Sequence, residues 1–345
     1  MMKNFLILIS MLIAKPSFAI QVNFNQAWFK SHYGLQYFDK FYDEVEVNRI
    51  FKLAQDAGSK SLRLWFFESP TLPMFKWENG KIAGYRNGYI KNVIKTLQIA
   101  KNYNIQVYMT LLDGHVYNPL KLKDENQARL ERIYQQEGGQ EFLTNAVGPL
   151  LSAIDQAGLA SVINRIDLSN EVDTVINRLG FDHGWKGASR MLCQWKSFIQ
   201  SIHSFEKTPV SFSLRLHALI FHPLDLLKDD GPMACADYYD FHSYENNGKV
   251  FSCNRMKKYA ESNKKDLILG EFGQSYFTHR YSDELQMSNT KNYLESANSC
   301  GFKEAYAWRL SDIRKGFNPE ARYSFEAYGA TRPAYELIKA ENASN

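Results

Sequence analysis

The stretches Asp167–Leu168–Ser169–Asn170–Glu171 and Leu267–Ile268–Leu269–Gly270–Glu271–Phe272–Gly273 each carry a glutamate to the end of a short, apolar, strand-like run. The glutamates stand one hundred residues apart in the chain. Neither run supplies two acids, so a shared chemistry needs a fold that gathers strand ends. A ring of parallel strands does this, because the C-terminal ends of different strands converge on one face.

The flanking sequence predicts such a ring. Short runs rich in branched and aromatic residues alternate with apolar-periodic helical segments, the pattern of repeated β/α units. Eight strands are expected: Gln21–Asn25, Ser61–Phe67, Gln106–Leu112, Asn164–Leu168, Pro209–Leu214, Tyr238–Ser243, Asp266–Gly270 and Glu304–Trp308. Helices are expected at Glu44–Ala57, Asn87–Tyr103, Glu141–Gln156, Gly187–Phe205, Asp283–Cys300 and Pro333–Ala340. The polar stretch Val116–Gln140 is long for a connector and reads as a wall or lid over the strand ends. No linker or internal repeat marks a second unit. The fold class is therefore α/β, a (β/α)8 TIM barrel in a single domain over residues 20–345.

Residues 1–19 read as a signal peptide, with Lys3 in a short basic region, an apolar run from Phe5 to Ala14, and Ser17–Phe18–Ala19 as the cleavage site. The run is well short of the roughly twenty residues that cross a bilayer, so a secreted or periplasmic protein without a membrane span is expected. Lys3 and Lys15 leave with the leader, turning 41 basic residues into 39 against 37 acidic ones, a net charge of +2. That balance argues against a nucleic-acid partner, which calls for a clustered basic face. Cys193, Cys235, Cys253 and Cys300 show no metal-ligand spacing. They allow two disulfides in any of three pairings, or buried free thiols.

Several strand ends fall in an order that resembles the clan A glycoside hydrolases, and within them the cellulase-like family 5. The match covers most of the mature chain. Asn170–Glu171 follows strand four, Glu271 ends strand seven, Arg63 lies on strand two, His242 and Tyr244 end strand six, and Trp308 ends strand eight. Asp113–Gly114–His115 resembles the family's strand-three ending. Val172 departs from the pattern, which has proline after the Asn–Glu pair.

The resemblance implies a retaining β-glycoside hydrolase acting on a poly- or oligosaccharide, with Glu171 as acid/base and Glu271 as nucleophile. Retention needs the two carboxyl groups about 5–5.5 Å apart. Glu171 must carry a proton to the leaving oxygen, whereas Glu271 must be ionised and so needs donors and positive charge nearby. Arg63 suits that task, because its guanidinium stays charged and offers a planar fork of donors. Tyr244 is expected to hold Glu271 by its phenolic hydroxyl, Asn170 to bond the sugar 2-hydroxyl, and Trp308 to stack on a pyranose ring. His115 and His242 are binding or support residues, and Trp65, Phe66 and Tyr306 are core or wall. Of the other strand-end carboxylates, Glu68 and Glu245 can shape a subsite, but Glu68, Asp113, Asp173, Glu245 and Asp312 are more commonly solvated or helix-capping residues.

The chemistry needs no cofactor or metal, and a monomer is expected. Three other readings share the residues: a transglycosylase using the same intermediate, a non-catalytic carbohydrate-binding barrel, and a metal-dependent hydrolase drawing on Asp113, His115, Glu171, His242 and Glu271.

Overall fold

The computed structural model describes residues 20–29, 38–39, 41–68, 72–86, 88–114, 124–179, 184–216, 225–228, 231–245, 248–250, 253–274, 282–312 and 323–345. The leader and His115 lie outside the described residues. The strands of the main sheet are β1 (Gln21–Asn25), β2 (Ser61–Trp65), β5 (Gln106–Asp113), β6 (Ile163–Asn170), β7 (Val210–Ser211), β8 (Ser213–Arg215), β9 (Tyr238–Ser243), β10 (Asp266–Phe272) and β11 (Phe302–Ala307). Their order is β7–β6–β5–β2–β1–β11–β10–β9–β8, and every pairing is parallel.

The two edges of that sheet are one stretch of chain. Sequence predicts a single fifth strand at Pro209–Leu214, but it is interrupted at Phe212: Val210 and Ser211 pair with β6, and Ser213–Arg215 with β9. The Asp167 carboxylate explains the break, since its Oδ1 accepts from the Ser213 backbone N–H at 3.1 Å in place of a strand partner. Nine short strands thus make the eight positions of a closed (β/α)8 barrel, as expected.

Outside the ring, helix α1 (Glu44–Asp56) begins where Asp43 accepts from the N–H groups of Val45 and Glu46. It buries Val47, Ile50, Phe51 and Ala54, the spacing of one helical face, against the strands. Helices α2 (Tyr89–Asn102), α3 (Asp124–Tyr134), α4 (Gln136–Phe142), α5 (Gly148–Gln156), α6 (Val172–Leu179), α7 (Trp185–Gln200), α8 (Cys253–Ser262), α9 (Asp283–Cys300) and α10 (Pro333–Ala343) follow. The segment Val116–Gln140 is not simply a polar connector. Residues 124–134 are α3, and α4 runs through a π-helical turn at Leu143–Val147 into α5.

Two small additions had no counterpart in the expected elements. One is the antiparallel hairpin β3 (Phe75–Glu78) with β4 (Lys81–Tyr85), and the other a three-stranded sheet of β12 (Ser311–Asp312), β13 (Glu326–Ala327) and β14 (Ala330–Thr331). All four cysteines are bonded, Cys193 to Cys235 and Cys253 to Cys300, which settles the pairing. Closing loops of 42 and 47 residues restrains the unfolded chain, a stabilisation of about 4 kcal/mol each on chain-entropy grounds. Among the described residues, no helix is long and apolar enough to cross a membrane.

Candidate active site

Glu171 follows the last residue of β6 and takes φ +48°, a left-handed conformation costly for a residue with a Cβ. Its surroundings impose that turn. The Glu171 N–H donates to Ser213 Oγ at 3.0 Å, while its carbonyl accepts from Thr174 and starts α6. Gly114 at the end of β5 lies so close that a Cβ there would stand 2.7 Å from the Glu171 carbonyl oxygen.

Glu271 sits on β10 where pairing with β9 shifts register between Leu269 and Glu271. A bulge of this kind re-aims a side chain. Gly270 permits it, because a Cβ would fall 2.0 Å from Asp240 Oδ1, which instead accepts the Gly270 N–H at 2.9 Å.

These two turns bring the glutamates together. Glu171, His242 and Glu271, all buried, each offer an atom within 4.8 Å of the others. Arg63, fully buried, donates through Nη1 to Glu271 Oε1 at 2.6 Å and to Asn25 Oδ1 at 3.2 Å. Its Nη2 donates to Asp167 Oδ2 at 2.6 Å and to Asn170 Oδ1 at 2.9 Å. Tyr244 donates to the other oxygen of Glu271 at 2.5 Å. Both oxygens of Glu271 therefore face donors, an arrangement that favours the carboxylate.

The charges beneath the site are strongly coupled. Burial raises the Glu271 pKa, and Glu171 adds to the rise, against the pull of His242 and Arg63. For His242 burial works against the charged form, but the Glu271 charge and the hydrogen bond to Glu171 outweigh it and raise its pKa. His242 Nδ1 lies 3.0 Å from Glu171 Oε1 and 3.5 Å from Glu271 Oε2, so an imidazolium there bridges both acids. Below it, burial pushes Asp240 up to about 6, with His242 and Arg63 opposing the shift.

A pH dependence follows for His242. Its folded pKa is raised, so the stability it contributes is complete below the ordinary value near 6.5 and is lost as pH rises through the folded value. Thermal melting from pH 5 to 9 is expected to show that alkaline decline, flattened in His242→Gln. Parallel curves for the two proteins would show that the imidazole is neutral in the fold.

The structure brings Arg63, Asn170, Glu171, His242, Tyr244 and Glu271 to one point, all of them expected there. Asn170 is more committed than expected, since Nδ2 donates to Asp113 Oδ1 at 2.9 Å and leaves only its second hydrogen for a ligand. Trp308 is partly exposed and flanked edge-on by Trp28 and Trp65, with ring centroids at 5.8 and 5.5 Å. Trp65 and Tyr306 are core, as expected. The background carboxylates are a correction: Glu68, Asp113, Asp173 and Asp312 are buried rather than solvated. Asp173 pairs with Arg215 at 2.7 Å, and Asp312 with Arg309 at 3.3 Å.

Sequence reasoning missed Asp167, Ser213, Arg215 and Asp240. A polar residue alternating with apolar ones on a buried strand, as in Ser213–Leu214–Arg215, was the available signal. Glu171, His242 and Glu271 are the described residues with the geometry to hold a metal ion. Against that use, a guanidinium already touches Glu271 and would repel a second cation.

No family model matches the sequence. A mannan endo-1,4-β-mannosidase from Mytilus edulis is 23% identical over 293 residues, covering 75% of each chain. The X-ray structure of β-mannanase from the blue mussel Mytilus edulis superposes with a TM-score of 0.64 at 18% identity, covering 93% of this chain and 92% of that one. The exo-β-1,4-mannosidase of Opitutaceae bacterium strain TAV5 gives 0.69 at 13% identity over 94% of this chain, which spans only 59% of that protein. The chain thus shares the (β/α)8 barrel fold of these mannanase and mannosidase structures.

Proposed function

We propose that the protein is an exported, retaining β-glycoside hydrolase that cleaves β-1,4-linked mannan or its oligosaccharides, with one barrel domain after the leader. The observation that carries the mechanism is the spacing of the acids, with Glu171 and Glu271 atoms inside 4.8 Å. That closeness supports retention, because an inverting enzyme needs about 6.5–9.5 Å to seat a water between its carboxyl groups. The mannan preference rests on the names of the similar proteins. Export is supported by two disulfides, which persist in oxidising compartments.

In this reading Glu271 attacks the anomeric carbon while Glu171 gives its proton to the departing oxygen. Arg63 and Tyr244 hold the attacking carboxylate in place. His242 spreads positive charge between the acids as negative charge moves from one to the other. Glu171, now ionised, takes a proton from water, which attacks the same carbon and releases the sugar with its original configuration. A sugar hydroxyl in place of that water gives transglycosylation by the same steps.

The test is hydrolysis of mannan and β-1,4-mannooligosaccharides followed by proton NMR. The first product expected is the β-anomer, converting to the equilibrium mixture only by mutarotation. An α-anomer formed first would overturn the retaining mechanism, and cleavage of glucan but not mannan would overturn the substrate.

A further inference from the structure

Arg215 ends β8, on the stretch that closes the ring, and two contacts hold it to Asp173. Its backbone N–H donates to Asp173 Oδ1 at 3.1 Å and its Nε to Asp173 Oδ2 at 2.7 Å. Asp173 is 1% exposed and lies in the first turn of α6. The grip fixes both the strand end and the direction of the guanidinium. Nε also stands 3.7 Å from Glu171 Oε2, the only other ionic contact of Arg215 among the described residues. Its two terminal nitrogens donate to no described protein atom, and the side chain is 26% exposed. A rigid fork beside the acid thus keeps its outer donors open.

The side of the cleft follows from the chemistry. Glu171 must touch the oxygen that joins the reacting sugar to the one that departs, whereas Glu271 lies under the anomeric carbon. Arg215 contacts Glu171, with no ion pair to Glu271 among the described residues, so its free edge borders the departing sugar. Resting on the glycosidase reading above, we propose that Arg215, oriented by Asp173, binds the leaving-group sugar through a pair of its oxygens, and binds the sugar acceptor when transfer replaces hydrolysis. A planar fork matches two neighbouring oxygens in a way that an ammonium cannot.

Asp173 has a second role as a positioning residue. A bare guanidinium next to Glu171 would favour its ionised form and weaken it as an acid. The Asp173 carboxylate offsets that charge while leaving the fork in place.

The test compares two substrates with the same donor sugars: a β-1,4-mannooligosaccharide, which fills the leaving side, and a 2,4-dinitrophenyl β-mannoside, which places no sugar there. Arg215→Ala is expected to lower kcat/KM on the oligosaccharide about 10- to 100-fold, the loss of one or two charge-assisted hydrogen bonds. The aryl mannoside should change by less than about threefold. Arg215→Lys should recover part of the loss and not all of it. Asp173→Asn should show the same selectivity to a smaller degree, and transfer to added mannobiose should fall with hydrolysis. For Arg215→Ala, weaker acid catalysis cannot explain such a pattern, because removing a cation beside Glu171 favours its protonated form. Equal losses on both substrates, or no loss on the oligosaccharide, would overturn the assignment. A wild-type protein that cleaves neither substrate would instead overturn the glycosidase reading.

Discussion

Glu271→Ala is expected to lower turnover of mannan on the order of 10^5-fold, the scale seen when a covalent nucleophile is removed. Among the described residues the other carboxylates around Arg63 are already engaged: Asp167 is buried and accepts from Arg63 Nη2, Asp240 is buried and accepts from the Gly270 N–H, and Glu171 is the acid in the proposed mechanism. Alanine also deprives Arg63 of one of its two anionic partners, and stranding part of a buried ion network can cost about 3–5 kcal/mol. Glu271→Gln serves as the second variant, since its carbonyl oxygen can still accept from Arg63 while its nucleophilicity is gone. Both should be inactive, and Gln should melt closer to wild type. Substantial turnover by either variant with native-like melting would remove Glu271 from the mechanism.

For Glu171 the signature is selectivity among leaving groups. Glu171→Ala should lose about 10^2- to 10^4-fold on mannooligosaccharides, the usual contribution of general acid catalysis. A dinitrophenyl mannoside departs without protonation, so its first step should persist as a burst of phenol, with the second step slowed by loss of the base. Equal losses in the first step on both substrates would show that Glu171 is not the acid. Arg215 stays in place in this variant, held by Asp173 rather than by Glu171, so the leaving-side contact is retained.

The eight strand positions were legible because each strand carries its own buried, branched or aromatic run, and their ends lie within a few residues of the expected ones. Strand five read as continuous because the chain gives no local sign that an aspartate on β6 will capture Ser213. Hairpin β3–β4 and the β12–β14 sheet were not legible, since strands of two to five residues carry too little pattern. Helix α6 begins immediately after Glu171 and spans only eight residues, and α8 is mostly polar. The strand-end residues Asn170, Glu171, His242, Tyr244 and Glu271, which the structure gathers at one point, were legible in the sequence. Asp167, Asp240 and Arg215 were not, because their importance comes from partners that meet them only across the barrel.

Arg63 illustrates how far that dependence goes. From β2 its fork reaches Asn25 on β1, Asp167 and Asn170 on β6, and Glu271 on β10, with Ser213 on β8 at 3.4 Å. A half-assembled ring would hold an uncompensated cation and an undirected acid. Assembly and competence are consequently expected to arrive together, with catalysis during refolding returning only as Arg63 meets its partners on the other strands.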